Sequence, residues 1–142
     1  MAAIPTRMTV IGIKAPGGPE MLVPEQRAVP TPGAGKILVK VAAAGVNRPD
    51  VMQRQGLYPP PPGAPDIPGL EIAGEVVALG PDVKRWKTGD RVMALVSGGG
   101  YAEYCLAHGS HALPISGRTS SSIACLIAPL SATERERSVE PV

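Results

Sequence analysis

Glycine and proline interrupt this sequence so often that long helices are excluded. Its 142 residues include 17 glycines and 17 prolines, and both residue types disfavour helix interiors. Between these breaks lie short runs rich in Val, Ile, Leu and Ala, which are typical of β-strands. The hydrophobic content of 44% argues against the disorder that so much glycine and proline can signal. We therefore expect a mainly β fold with many turns.

Seven of these runs predict short strands. The clearest is 36–44, where β-branched and aliphatic residues dominate. The others are 7–13, 21–29, 67–79, 91–96, 101–107 and 111–115. Asp50 to Gln55 is predicted to form one or two helical turns, because Pro49 suits a first turn and Gly56 suits a helix end. This pattern favours a twisted, partly open antiparallel β-barrel with one short helix.

Charge and composition argue against several classes of partner. The net charge of +2, from 14 basic and 12 acidic residues, is too balanced for a nucleic-acid surface. The longest late apolar run, 123–130, is far shorter than the roughly 20 residues that span a bilayer. Cys105 and Cys125 match no metal-binding spacing, and no apolar signal-peptide stretch opens the sequence. We expect a cytoplasmic protein with no nucleic-acid or membrane partner.

Residues 45–71 carry the polar groups best suited to chemistry. Asn47, Arg48 and Asp50 directly follow the 36–44 run, and Tyr58 stands between a glycine and four consecutive prolines. Four prolines fix φ and remove four backbone donors, so this stretch is expected to be a rigid extended bridge. A tyrosine presented rigidly beside an amide, a guanidinium and a carboxylate indicates a site. The alternative is a surface loop whose polar residues are merely solvated.

This stretch resembles the zinc-independent quinone oxidoreductases of the medium-chain dehydrogenase/reductase superfamily, relatives of zeta-crystallin. The similarity extends over residues 8–115 and rests on four ordered motifs: Ala44-Gly-Val-Asn-Arg-Pro-Asp50, Arg54-Gln-Gly-Leu-Tyr-Pro-Pro60, Pro68-Gly-Leu-Glu71 with Ala73-Gly74, and Gly89-Asp-Arg-Val92. The resemblance implies that superfamily's GroES-like domain, with NADPH as cofactor and a quinone or an enone as substrate. One departure is Lys36, which stands where a Glu is commoner in the family.

Two residue identities argue against zinc. By the resemblance, zinc-dependent relatives place a Cys where Asn47 stands and a His where Leu70 stands. Asn is a poor zinc ligand and Leu is none, whereas catalytic zinc needs three protein ligands. His108 and His111 are three residues apart and could chelate a metal, but such a pair more often lies in a polar surface turn. We therefore expect no metal site.

Without zinc, hydrogen-bond donors must polarise the oxygen of the substrate. Tyr58 supplies a phenol and Asn47 supplies an amide, so both are candidate catalytic residues. The resemblance matches Tyr58 to a tyrosine proposed to face the quinone in this family. It matches Asn47 to the position near the nicotinamide ribose, so Asn47 is also a candidate cofactor-binding residue.

Arg48 and Asp50 complete the candidate cofactor site. Arg48 suits a cofactor phosphate because guanidinium binds phosphate bidentately, and the alternative is a surface ion pair with Asp50 or Glu71. Asp50 is expected to orient the loop rather than to transfer a proton. Glu71 opens an apolar run, and a buried carboxylate there needs a partner, for which Arg48 is a candidate. The aromatic residues outside this stretch are interpreted as packing residues: Trp86, Tyr101 and Tyr104.

We assign residues 1–115 to a GroES-like, alcohol dehydrogenase-like N-terminal domain and residues 116–142 to an atypical tail that is not native to the family fold. No G-x-G-x-x-G turn precedes a helix, so the nucleotide-binding domain is predicted to be absent. The sequence favours the substrate-side domain of an NADPH-dependent quinone or enone oxidoreductase, truncated and inactive alone. Its uncovered interdomain face is expected to promote self-association. The alternative is a stand-alone GroES-like β module with a binding or assembly role.

Overall fold

Two antiparallel sheets and a short helix make up the part of the chain that the structure describes. The structure is a computed structural model, and it describes residues 3–121. The strands are β1 (Arg7–Ile13), β2 (Leu22–Ala28), β3 (Lys36–Ala44), β4 (Glu71–Leu79), β5 (Arg91–Leu95), β6 (Tyr104–His108) and β7 (Ala112–Pro114). The helix is α1 (Arg48–Arg54), and two 3-10 turns lie at Pro19–Met21 and Gly109–His111. The predicted mainly β class with one short helix is therefore confirmed.

The two edge strands of the larger sheet are consecutive in the sequence. This sheet has the strand order β6-β3-β4-β5-β7, and the smaller sheet pairs β1 with β2. The edge strands β6 and β7 are joined only by the 3-10 turn Gly109–His111. The two sheets do not close into a complete barrel. They are connected where Ile11 N donates to Tyr101 O at 2.8 Å and Glu103 N donates to Thr9 O at 3.2 Å.

The core is aliphatic, and side chains from the larger sheet form most of it. Each of the five strands in this sheet contributes at least one fully or nearly fully buried side chain to one cluster: Ile37, Val39, Ile72, Val76, Val92, Ala94, Cys105, Ala107 and Ala112. Burying one such Val or Ile side chain contributes about 1.5–3 kcal/mol. Trp86 closes this cluster, and its indole N–H donates to Gly109 O at 2.7 Å, which satisfies the buried polar group.

The predicted strand bounds are confirmed where the apolar pattern is uninterrupted. β1 and β3 have the predicted bounds, and α1 lies around Pro49 as expected, although it begins two residues earlier than predicted. The predicted helix Asp50 to Gln55 is therefore extended to start at Arg48, since Pro49 occupies the first helical turn.

Two predicted strands are too long, and both errors have one physical cause. The strand predicted for 67–79 begins only at Glu71, and the strand predicted for 101–107 begins only at Tyr104. The residues before β4 and before β6 form two loops that hydrogen-bond to each other. Gly99 N donates to Ile67 O at 2.7 Å, and Tyr101 N donates to Pro68 O at 2.9 Å. Because these hydrogen bonds between loops replace the regular pairing of β-strands, the apolar pattern predicted both strands to start too early.

The end of the domain is held by Arg91 of the Gly89-Asp-Arg-Val92 motif. Its guanidinium donates to Gly117 O at 3.1 Å and to Thr119 O. Gly117 and Thr119, which follow β7, are thus bonded to the start of β5. The remainder of the predicted tail, 122–142, lies outside the described residues, so its separation from the family fold stays a prediction. Among residues 3–121, no helix is long and apolar enough to cross a membrane.

Gly74 in β4 provides a test of the sheet packing. A Cβ at this position would collide with the backbone carbonyl of Lys40 in the neighbouring strand, which cannot move without disturbing the sheet. We expect Gly74→Ala to lower the free energy of unfolding by about 2–3 kcal/mol. The matched control is Gly33→Ala, since a Cβ at Gly33 meets nothing within 4 Å, and its effect should stay within about 0.5 kcal/mol. Urea unfolding measures the loss in the free energy of unfolding for both variants. Equal losses would contradict the close packing of Gly74 against Lys40.

Candidate functional site

The carboxylate of Asp50 joins three separate segments of the chain. Asp50 lies in the first turn of α1, and Asn47 is the N-cap residue of that helix. The Asn47 backbone N–H donates to Asp50 Oδ2 at 2.8 Å, which completes one half of a capping box. Gly69 N donates to Asp50 Oδ1 at 3.0 Å, and the Tyr101 hydroxyl donates to Oδ2 at 3.1 Å. Asp50, with only 5% of its surface exposed, therefore holds these three segments together.

Glu71 is a second buried carboxylate, and it also bonds to Asn47. It is 3% exposed, and its Oε1 accepts a hydrogen bond from the Asn47 side-chain amide at 3.0 Å. Its Oε2 is buried without a hydrogen-bond partner among the described residues. A side chain at Gly45 would overlap this carboxylate, so Gly45 leaves the space that Glu71 occupies. Asn47 is thus held at both its backbone and its side chain.

Arg48 is not the partner of Glu71, and this prediction is wrong. The two ion pairs found within residues 3–121 join Arg27 to Glu25 and to Asp66, and neither involves Arg48. The partner of Glu71 is the Asn47 amide, because Asn47 caps α1 and directs its side chain inward, whereas Arg48 is exposed at the first helical turn. The alternative of a surface ion pair with Asp50 or Glu71 is therefore also wrong.

Tyr101 packs against the apolar cluster that includes Met8 and Val10, as predicted, and it also belongs to the site. Its half-buried phenol donates to Asp50, and burial, followed by the negative charge and hydrogen bond of Asp50, raises the pKa of Tyr101. No sequence signal marks this contact, because the two residues are 51 positions apart. Trp86 packs as predicted, and Tyr104 packs against the apolar cluster that includes Met8 and Val10.

Tyr58 lies in a separate cleft from this network. The cleft has a volume of about 270 Å³ and is lined by Tyr58, the prolines that follow it, and three charged residues, Glu25, Arg27 and Asp66. Neither Asn47 nor Asp50 lines it. Arg27 lies 2.9 Å from Glu25 and 3.2 Å from Asp66, so the charges of the cleft are paired. The structure therefore brings Asn47 and Asp50 together but does not place Tyr58 among their partners.

The donor set of the described residues does not fit a zinc ion. Within residues 3–121, no three His, Cys, Asp or Glu side chains form a group that could hold a metal. The ring centroids of His108 and His111 are 5.2 Å apart across the 3-10 turn. His108 Nδ1 lies 2.7 Å from Ser110 Oγ, so this ring bonds within its own turn. The two histidines thus lie in a polar turn, and the absence of a metal at this turn stays a prediction.

Comparison with known proteins shows which family this chain belongs to. Residues 33–117 match the alcohol dehydrogenase GroES-like domain. The quinone oxidoreductase of Lama guanicoe is 43% identical over 111 residues, which cover 75% of this chain and 34% of that protein. The chain thus spans about a third of the length of such curated relatives.

Two solved structures share the fold over most of the chain. The human synaptic vesicle membrane protein VAT-1 homolog-like protein superimposes with a TM-score of 0.78 at 36% identity, over 84% of this chain and 38% of that one. A mycobacterial protein solved in complex with NADPH gives a TM-score of 0.77 at 35% identity, over 95% of this chain and 42% of that one. These matches support the assignment to the GroES-like domain of the medium-chain dehydrogenase/reductase superfamily, with quinone oxidoreductases among the relatives.

Removal of the Asp50 carboxylate tests its structural role. Asp50→Ala would leave the Gly69 and Asn47 N–H groups and the Tyr101 hydroxyl without their acceptor, so we expect a loss of about 3 kcal/mol in the free energy of unfolding. The control is Asp66→Ala, which removes a 73% exposed carboxylate from a surface ion pair and should cost about 0.5 kcal/mol. Urea unfolding compares the two, and a smaller loss for Asp50→Ala than for Asp66→Ala would refute the role.

Alkaline titration tests the environment of Tyr101. Because the folded-state pKa of Tyr101 is raised, its contribution to stability is present below the unfolded value of about 10 and is lost as pH rises through the folded value. An ultraviolet titration should therefore end in a late step, at which the Tyr101 phenol ionises above the usual range for tyrosine. Tyr101→Phe should remove this last step, and Tyr104→Phe should retain it. Loss of the last step in Tyr104→Phe instead would contradict the assignment.

Proposed function

Because the chain belongs to the alcohol dehydrogenase GroES-like domain family, we propose that it is the substrate-side domain of an NADPH-dependent oxidoreductase that reduces a quinone or an enone. The 43% identity to a quinone oxidoreductase supports the reaction class. The observation that carries the proposal is the network of Asn47, Asp50 and Glu71, which gives the motif residues one fixed arrangement. Polar donors replace zinc in this proposal, since Leu70 cannot bind a metal.

Asn47 and Arg48 face the cofactor in the proposed enzyme. When bound, NADPH supplies the hydride, and the protein supplies binding and orientation. Arg48 is exposed at the first turn of α1, and its guanidinium has no ion pair among residues 3–121, so it is available to a phosphate. Asp50 contributes to the cofactor site by holding the loop, because its carboxylate already accepts three hydrogen bonds. Glu71 in turn fixes the Asn47 amide.

Tyr58 is the proposed hydrogen-bond donor to the substrate oxygen. Its side chain is half-buried and lines an open cleft beside the proline run. A phenol held there would stabilise negative charge on the oxygen as the hydride arrives. Asn47 keeps its place as a second candidate donor. In this arrangement, the segment after α1 serves the substrate, and the N-cap and first turn of α1 serve the cofactor.

We propose that these 142 residues neither bind NADPH tightly nor reduce quinones by themselves. All strand pairs within residues 3–121 are antiparallel, whereas dinucleotides bind at a parallel βαβ unit. Val46 is 77% exposed and Leu57 is 66% exposed, one before and one after α1, and these two side chains offer apolar surface for self-association. The buried free thiol of Cys105 suits the cytoplasm, which we keep as the proposed location.

Calorimetric titration of the chain with NADPH tests the proposal that these residues do not bind the cofactor tightly by themselves. We expect no micromolar binding to the 142-residue chain and no quinone-dependent oxidation of NADPH. A complete relative of the same family serves as the positive control. Micromolar binding to the chain alone would overturn the proposal, since it would require a cofactor site within these residues.

Substitution of Tyr58 tests the catalytic assignment in a complete enzyme that carries this segment. Tyr58→Phe should lower kcat by up to about 100-fold, since one oxyanion donor contributes on the order of 3 kcal/mol to the barrier. The affinity for NADPH should change little, because other residues hold the cofactor. Tyr104→Phe, which lies outside the Tyr58 cleft, is the matched control. An unchanged kcat in Tyr58→Phe would end this role for the phenol.

A further inference from the structure

Two adjoining cavities lie away from the Asn47 network. One has a volume of about 400 Å³ and the other about 360 Å³, a size typical of small-molecule sites. Lys36, Ser97 and Leu106 line both cavities, so the two form one continuous groove. The larger cavity has apolar walls from Met8, Ile67 and Tyr104.

The charges along this groove have one sign. No acidic residue lines either cavity. Arg27 lines the larger cavity, but its guanidinium is paired with Glu25 and Asp66. Lys36 is exposed at the start of β3, and its ammonium group has no ion pair within the described part of the chain. Lys36 therefore supplies the unbalanced positive charge where the two cavities meet.

We propose that this groove binds an amphipathic anion, with its apolar body in the larger cavity and its carboxylate or sulfonate group at Lys36. The apolar walls favour a hydrocarbon chain or ring by excluding water from it. The ammonium group of Lys36 attracts the anion, and the adjacent Ser97 hydroxyl offers a second donor. Since Asn47, Asp50 and Tyr58 do not line the groove, the site is independent of the proposed redox role.

The charge of residue 36 decides whether this groove attracts an anion. A glutamate at this position would place a negative charge where the two cavities meet. It would repel an anion instead of attracting it. The substitution Lys36→Glu therefore reverses the one charge on which the proposal depends.

Calorimetric titration of the 142-residue chain with octanoate tests the proposal, with octan-1-ol as the uncharged counterpart. We expect octanoate to bind with a Kd on the order of 0.1–1 mM, and octan-1-ol to bind at least about fivefold more weakly, because it lacks the charge that Lys36 attracts. Absence of octanoate binding, or equal affinity for the two compounds, would overturn the proposal.

A matched pair of charge reversals locates the binding. Lys36→Glu should weaken octanoate binding by about tenfold or more, since it replaces attraction by repulsion. Lys40→Glu makes the same change of charge at an exposed position of the same strand that lines neither cavity, and should alter affinity by less than about twofold. If Lys36→Glu fails to fold by circular dichroism, Lys36→Gln replaces it, with an expected weakening of about threefold. Equal losses at positions 36 and 40 would overturn the assignment to this groove.

Discussion

Two carboxylates with almost no solvent contact determine how the central part of this chain is arranged. A buried carboxylate is unfavourable unless donors surround it, and Asp50 meets this requirement with hydrogen bonds from Asn47, Gly69 and Tyr101. These three donors belong to the helix start, to the loop before β4 and to the loop before β6. Satisfying one buried charge therefore fixes the relative positions of three segments that are far apart in sequence.

Glu71 extends this arrangement to the side chain that the sequence identified first. Its bond from the Asn47 amide sets the orientation of that amide, because an ionised carboxylate can only accept a hydrogen bond. The same residue retains one buried oxygen without a partner in the described part of the chain. Natural proteins keep such groups rarely, and they concentrate where function rather than stability determines the residue. The polar network is thus both the support of the local fold and the reason to regard residues 45–71 as a site.

The fold could be predicted from the sequence where the information is local. β3 and α1 follow from an unbroken apolar run and from a proline and glycine at suitable helix positions. The starts of β4 and β6 could not be predicted, because residues 67–69 bond to residues 99–101 across about thirty positions. In the site, too, local contacts could be predicted and long-range contacts could not. The association of Asn47 with Asp50 is a contact within one helical turn, whereas the phenol of Tyr101 reaches Asp50 only through the tertiary fold. Pairing Arg48 with Glu71 failed for a related reason, since charge alone suggested it and the geometry of the helix cap decided otherwise.

The order of strands in the larger sheet has a consequence for folding during synthesis. β1 and β2 are neighbours in sequence, so their hairpin can form as soon as both have left the ribosome. β3 lies inside the larger sheet, yet one of its two neighbours is β6, about sixty residues later in the chain. Until β6 emerges, one edge of β3 has no partner and exposes its backbone donors and acceptors to other nascent chains. The interval between the synthesis of β3 and that of β6 is therefore the period in which this domain is most exposed to mispairing.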